Sequence, residues 1–209
     1  GYVGLSVGEC FADLGHTVTC LDIDESKVES LREGHVPIYE PGLTSLVQRS
    51  VTAGRLTFSS NYTTSVPNRE FVFIAVDTPT GAAGEANLSA VESAAISLAS
   101  SLTPGTIIVT KSTVPIGTGD LITRLVHEYR SDSDQFPVVS NPEFQREGTA
   151  VQDFLHPDRV VIGSTDKIAA NRLAELYRSF NCPVIVTDLR TAEMIKYASN
   201  AFLATRISF

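Results

Sequence analysis

The chain has 209 residues, 43% of them apolar, and a formal net charge of −8. That length supports a sizeable core, and the apolar share excludes wholesale disorder. The acidic balance disfavours nucleic acid, which is bound through clustered Lys and Arg, and no apolar run approaches the roughly 18 residues of a membrane span. In chain order the periodicity predicts a helix over 5–14, a strand over 17–21, helices over 25–33 and 43–53, and strands over 56–59 and 71–76. There follow a helix over 88–102, a strand over 106–110, a helix over 119–129, and strands over 137–139 and 159–162. A helix over 168–180, a strand over 184–187 and a helix over 191–208 complete the chain. The short Val- and Ile-rich strands read as buried on both faces, and their alternation with helices predicts a doubly wound α/β fold with a mainly parallel sheet. Asp24 and Asn87 stand where helix N-caps are expected, and Gly15 where the first helix stops.

The opening Gly1-Tyr2-Val3-Gly4 fits the last two glycines of a Gly-x-Gly-x-x-Gly dinucleotide fingerprint. A residue without Cβ lets the backbone approach a pyrophosphate, and the helix N-terminus offers it unpaired N–H groups. Alone, this spacing is also that of a simple turn. Asp22 adds weight: it ends the strand 17–21, about 20 residues on, where a carboxylate accepts from the ribose hydroxyls of NAD and repels the 2′-phosphate of NADP. The alternative for Asp22 is a loop acid or cap. On this reading the first strand of a Rossmann-type sheet precedes residue 1. Its loss would leave sticky unpaired edges, so the 209 residues alone are expected to be poorly soluble.

Cys10, Cys20 and Cys182 are too few and too scattered for a disulfide framework or a zinc site, and each sits among apolar residues. A reducing compartment, the cytoplasm, fits them. No charged start and apolar stretch marks a secretory signal. The four histidines show no metal spacing, and no metal is expected.

Several segments together carry a resemblance. These are residues 1–4, Pro37-Ile38-Tyr39-Glu40-Pro41-Gly42-Leu43, Thr78-Pro79-Thr80, Lys111-Ser112-Thr113-Val114-Pro115 and Asn141-Pro142-Glu143-Phe144. Glu147-Gly148-Thr149-Ala150, Pro157-Asp158-Arg159-Val160, Glu193-Met194-Ile195-Lys196-Tyr197 and Asn200-Ala201-Phe202-Leu203-Ala204 continue it. In this order they resemble the landmarks of the UDP-glucose/GDP-mannose dehydrogenase family. The run from Ala198 to Ser208 most resembles the members that act on UDP-glucose. The resemblance implies oxidation of a sugar nucleotide at C6, from alcohol to carboxylate, with two NAD and through a cysteine thiohemiacetal and thioester. GDP-mannose or a UDP-N-acetyl-hexosamine as substrate, and a non-catalytic NAD-binding module, are the alternatives.

It also implies roles. Gly1, Tyr2, Val3, Gly4, Asp22, Lys27, Thr78, Thr113 and Glu147 would contact NAD. Thr113, Glu143, Lys196 and Asn200 would act in catalysis, and Glu143, Phe144, Gln145, Arg146, Glu147, Lys196 and Asn200 would meet the substrate. Without the resemblance, Thr78 and Thr113 read as strand-end turns or caps, and Lys27 as a surface lysine. Asn141 and Pro142 read as the start of a helix that would put Glu143 and Glu147 on one face. Lys196 and Asn200, four apart, would present an ammonium and an amide to a developing oxyanion. Gln145 departs from the apolar residue, usually Leu, found there in the family. The Pro37–Leu43 turn receives no catalytic role. The family's nucleophile lies beyond residue 209 in a glycine-rich segment, so these 209 residues are expected to be inactive alone. The implied division is a dinucleotide-binding domain over 1–190 and the start of a connecting helix over 191–209, with the sugar-nucleotide domain outside the chain. The whole enzyme is expected to be a homodimer or higher homo-oligomer.

Overall fold

A computed structural model of the chain describes residues 1–130 and 135–209. The chain divides into two compact units, Gly1–Pro67 with Gln145–Pro157, and Asn68–Phe144 with Asp158–Phe209.

In the first unit α1 (Tyr2–Asp13) leads to β1 (Val18–Leu21), then to α2 (Glu25–Arg32), α3 (Leu43–Thr52), β2 (Leu56–Ser59) and the single turn α4 (Tyr62–Ser65). β1 and β2 pair in parallel, with Val18 opposite Leu56 and Leu21 opposite Ser59. The segment from residue 145 to 157 adds α7 (Ala150–Leu155), whose Phe154 meets Phe11 of α1 edge to face, centroids 5.0 Å apart. Gly8 sets the close approach of α1 to β1: a Cβ there would stand 2.6 Å from Cys20 Sγ. Asp24 caps α2 by accepting from Ser26 N and Lys27 N. Gly15 follows α1 with a φ of 103°, a conformation that favours glycine.

The second unit is a five-stranded sheet in the order β3 (Phe71–Ile74), β4 (Ile107–Thr110), β5 (Val138–Ser140), β6 (Val160–Gly163), β7 (Val184–Thr187). All neighbours are parallel except β5 and β6, which meet antiparallel at Ser140 and Gly163. The helices are α5 (Ser89–Ala99), α6 (Thr118–Glu128), α8 (Lys167–Leu176) and α9 (Leu189–Ser208). β4, β5 and β6 are buried along their whole length, as continuous apolar runs in a covered sheet must be. The α/β class with mainly parallel strands is the one expected, although the strands form two sheets. The β4 to β6 core supports α9. A Cβ on Gly163 would fall 2.6 Å from the carbonyl oxygen of Asp188 and closer still to the Cβ of Ala192. Asp188 caps α9 by accepting from Thr191 N. Among the described residues no helix is long and apolar enough to cross a membrane.

Candidate active site

In the first unit, α1 starts with Gly1 as N-cap. No side chain bonds its first N–H groups, and no acidic residue lies in its first turn. An uncapped helix start of this kind suits a phosphate. Asp22 follows β1, with Oδ2 3.2 Å from Gly1 N and Oδ1 accepting from Asp24 N at 3.1 Å. Its carboxylate therefore stands beside the glycine turn. Lys27, on the exposed side of α2, pairs with Asp24 at 3.6 Å. The buried Glu40 accepts from the Tyr2 hydroxyl and, at 2.9 Å, from Gly148 N. Burial, then the bond to Glu40, pushes the Tyr2 phenol up to about 12.

Arg146 grips Asp153 three times. Its N, Nε and Nη2 donate at 2.9, 3.1 and 2.7 Å, and these bonds hold the Asp153 carboxyl down at about 2. The Gln145 amide donates to Ala150 O at 3.1 Å. Glu147 is exposed.

In the second unit, Lys196 on α9 lies 3.4 Å from Glu143, their side chains only 9% and 12% exposed. Phe144 takes two cations on its ring, Arg159 at 4.4 Å and Lys196 at 5.2 Å from the centroid. Beneath them is a buried polar cluster. Asn141 Oδ1 accepts from Lys111 Nζ at 3.1 Å and from the Tyr177 hydroxyl at 2.5 Å, and its Nδ2 donates to Val161 O at 2.9 Å. Burial pushes the Lys111 ammonium down to about 8, with Glu143 opposing the shift and Lys196 adding to it. Thr78 and Thr113 leave the ends of the first two strands of this sheet, and Thr78 Oγ1 donates to Thr113 O at 2.7 Å. Asn200 lies on α9 and is exposed.

Residues 1–181 match the NAD binding domain of the UDP-glucose/GDP-mannose dehydrogenase family. The chain belongs to that family. It is similar along its whole length to the UDP-glucose 6-dehydrogenase YwqF of Bacillus subtilis, at 49% identity over 209 residues and 48% of that protein. A UDP-glucose 6-dehydrogenase of Rhizobium meliloti is 49% identical over 215 aligned residues, with 49% of its length covered. Among solved structures, a UDP-glucose dehydrogenase of Pyrobaculum islandicum superposes with a TM-score of 0.94 at 44% identity. A GDP-mannose dehydrogenase of Pseudomonas aeruginosa superposes with a TM-score of 0.96 at 32% identity. Both comparisons cover all of this chain and 49% of the other. The chain thus spans about half the length of the curated relatives it matches.

NAD is the cofactor of the matched domain. The uncapped start of α1 and the Asp22 carboxylate beside it fit the pyrophosphate and ribose of such a dinucleotide. One expectation about the site is corrected. Residues 141–146 form no helix, and the next helix begins at Ala150. The Asn141 amide is engaged by Lys111, Tyr177 and Val161, so it caps nothing, and Arg146 N bonds the Asp153 side chain. Glu143 and Glu147 therefore do not share a helix face, and they fall in different units. Sequence reasoning assigned no role to Glu40, Lys111, Tyr177 or Glu193, and read Asn141 only as a helix start. All but Tyr177 lie inside motifs it had singled out, so a charged or amide residue within a landmark was the available signal.

Proposed function

We propose that this chain supplies the NAD-binding half of a UDP-glucose 6-dehydrogenase, which oxidises the C6 alcohol of UDP-glucose to the carboxylate of UDP-glucuronate. The observation that supports this most directly is the Lys196–Glu143 pair at 3.4 Å. Binding a dinucleotide needs neither residue. An ammonium held in a shielded place beside a carboxylate suits a reaction in which an oxyanion forms and a water must be oriented. The names of the relatives support UDP-glucose over the other sugar nucleotides.

On this reading Gly1, Tyr2, Val3 and Gly4 accept the pyrophosphate on the start of α1, and Asp22 takes the ribose hydroxyls. Lys27, Thr78, Thr113 and Glu147 complete the contacts to NAD, which supplies the hydride acceptor when bound. Glu143, Phe144, Gln145, Arg146 and Glu147 line the substrate, and Lys196 and Asn200 stabilise the negative oxygen at C6. Glu143 and Thr113 hold the hydrolytic water. Burial raises Cys10 and Cys20 to about 12 and raises Cys182 as well, so these three thiols are poor nucleophiles. The thiolate of the family's route comes from elsewhere in the enzyme, which acts as a soluble cytoplasmic homo-oligomer.

The test is an NADH-release assay of the full-length product of this reading frame across sugar nucleotides. UDP-glucose should give the highest kcat/KM. A preference for GDP-mannose or a UDP-N-acetyl-hexosamine would move the substrate assignment within the family. NAD binding with no turnover of any of them would favour a non-catalytic module.

A further inference from the structure

Glu193 stands on α9, three residues before Lys196 and seven before Asn200, a spacing that puts all three on one side of the helix. It is 2% exposed. Its Oε2 accepts from Gly117 N at 2.6 Å and its Oε1 from Gly119 N at 2.8 Å. Those two amides belong to the first turn of α6, whose own N-cap, Gly117, has no side chain to offer. The cap is therefore supplied by a carboxylate more than 70 residues further along the chain. Contact is tight at this junction, because a Cβ on Gly119 would meet Leu189 Cδ2 at 2.5 Å. The turn so anchored is the continuation of Thr113, whose carbonyl receives the Thr78 hydroxyl. One buried side chain thus joins the helix that carries Lys196 and Asn200 to the loop that carries Thr113.

We infer that Glu193 is a positioning residue for the oxidation, fixing the Thr113 turn against α9 so that the loop's contacts to cofactor and water stay in register with Lys196. This rests on the functional reading above. A second link at the same junction provides a contrast: Arg190 pairs with Asp120 of α6 at 2.7 Å, but both side chains are more than half exposed. An exposed pair of this kind contributes little, whereas a buried carboxylate holding two backbone donors fixes geometry.

The full-length enzyme with Glu193→Gln tests this. The glutamine oxygen can accept from one glycine, but its NH2 faces the other donor. Amide exchange over 113–119 should accelerate, NAD affinity should fall about tenfold for the lost contact, and kcat should fall by about 10²-fold from misplacement. Combined with Thr113→Ala, the two losses should be clearly less than multiplicative, because Glu193 acts through that loop. Arg190→Ala should leave all these readouts unchanged. Should Glu193→Gln not fold, Glu193→Asp, which reaches one of the two amides, carries the same cycle. Wild-type NAD affinity and kcat in a folded Glu193 variant, or losses that multiply with Thr113→Ala, would overturn the inference. If the wild-type enzyme turns over no sugar nucleotide, the functional reading fails. The NAD titration and amide exchange then still decide the role of Glu193.

Discussion

Lys196 Nζ lies 3.4 Å from Glu143 Oε1, and the two side chains are 9% and 12% exposed. The pair joins α9 to the loop after β5. Removing the cation takes one opposite charge from a carboxylate that is itself shielded from water, which is unfavourable when a charge is out of water. Lys196→Met should therefore lower kcat by about 10²–10³-fold, the loss typical of a missing oxyanion donor, with a smaller change in the KM for the sugar nucleotide. Steady-state kinetics check this. A kcat within threefold of wild type would remove Lys196 from the chemistry.

Asp22 offers its carboxylate at the end of β1, beside the start of α1. A hydrogen bond to a charged group contributes about 1.5–3 kcal/mol, so Asp22→Ala should weaken NAD by roughly ten- to a hundredfold. It should weaken NADP far less, because the repulsion of the 2′-phosphate goes with it. Titration with both dinucleotides measures the ratio. An unchanged NAD-to-NADP preference would speak against the assignment.

Gly163 lets α9 lie on β6. Its substitution by alanine would drive a methyl group into Ala192 and the Asp188 carbonyl. Gly163→Ala should lower stability by about 1–3 kcal/mol, as overpacking does, and reduce kcat by displacing Lys196. Urea unfolding and kinetics together test the link. Lost stability with full activity would show that α9 can shift without consequence.

Two buried or gripped carboxyls set opposite pH dependences. Burial raises Glu9 of α1 to about 7, the bond from Ser50 opposing the shift, and its Oε2 has no partner. A raised folded value means that this group favours the folded state most below about pH 4.5, and that the benefit is lost as pH rises through about 7. Glu9→Gln should flatten that slope. Asp153 is held at about 2 by Arg146, so its contribution is present above the ordinary 3.8 and lost as pH falls towards 2. After discounting for solvent, that is about 1–2 kcal/mol, and Arg146→Ala should abolish it. Unfolding free energies between pH 2 and 8 would show both effects. A Glu9→Gln variant that keeps the wild-type slope from pH 4.5 to 7 would contradict the first.

Period and punctuation made most elements legible. Strands 56–59 and 184–187 carry the expected bounds, and Asp24 caps α2 as its position implied. What periodicity cannot show is which side chain a backbone group will choose. Asn141 and Pro142 look like a helix start, yet tertiary partners 20–36 residues away hold the Asn141 side chain, and the segment forms no helix. The short helices α4 and α7 were too brief for a period to register. Motif order pointed to Glu143 and Lys196, which the fold brings together. The same motifs contained Glu193 and Glu40, whose partners are distant in sequence and hence invisible there.

Under the proposed function, this chain is half of an enzyme that oxidises C6 of UDP-glucose twice. The measurement closest to it is the number of NADH formed per UDP-glucose consumed by the full-length protein, with the sugar product identified. The expected result is two NADH and UDP-glucuronate. No NAD reduction with UDP-glucose, or one NADH with an aldehyde as the final product, would contradict the account.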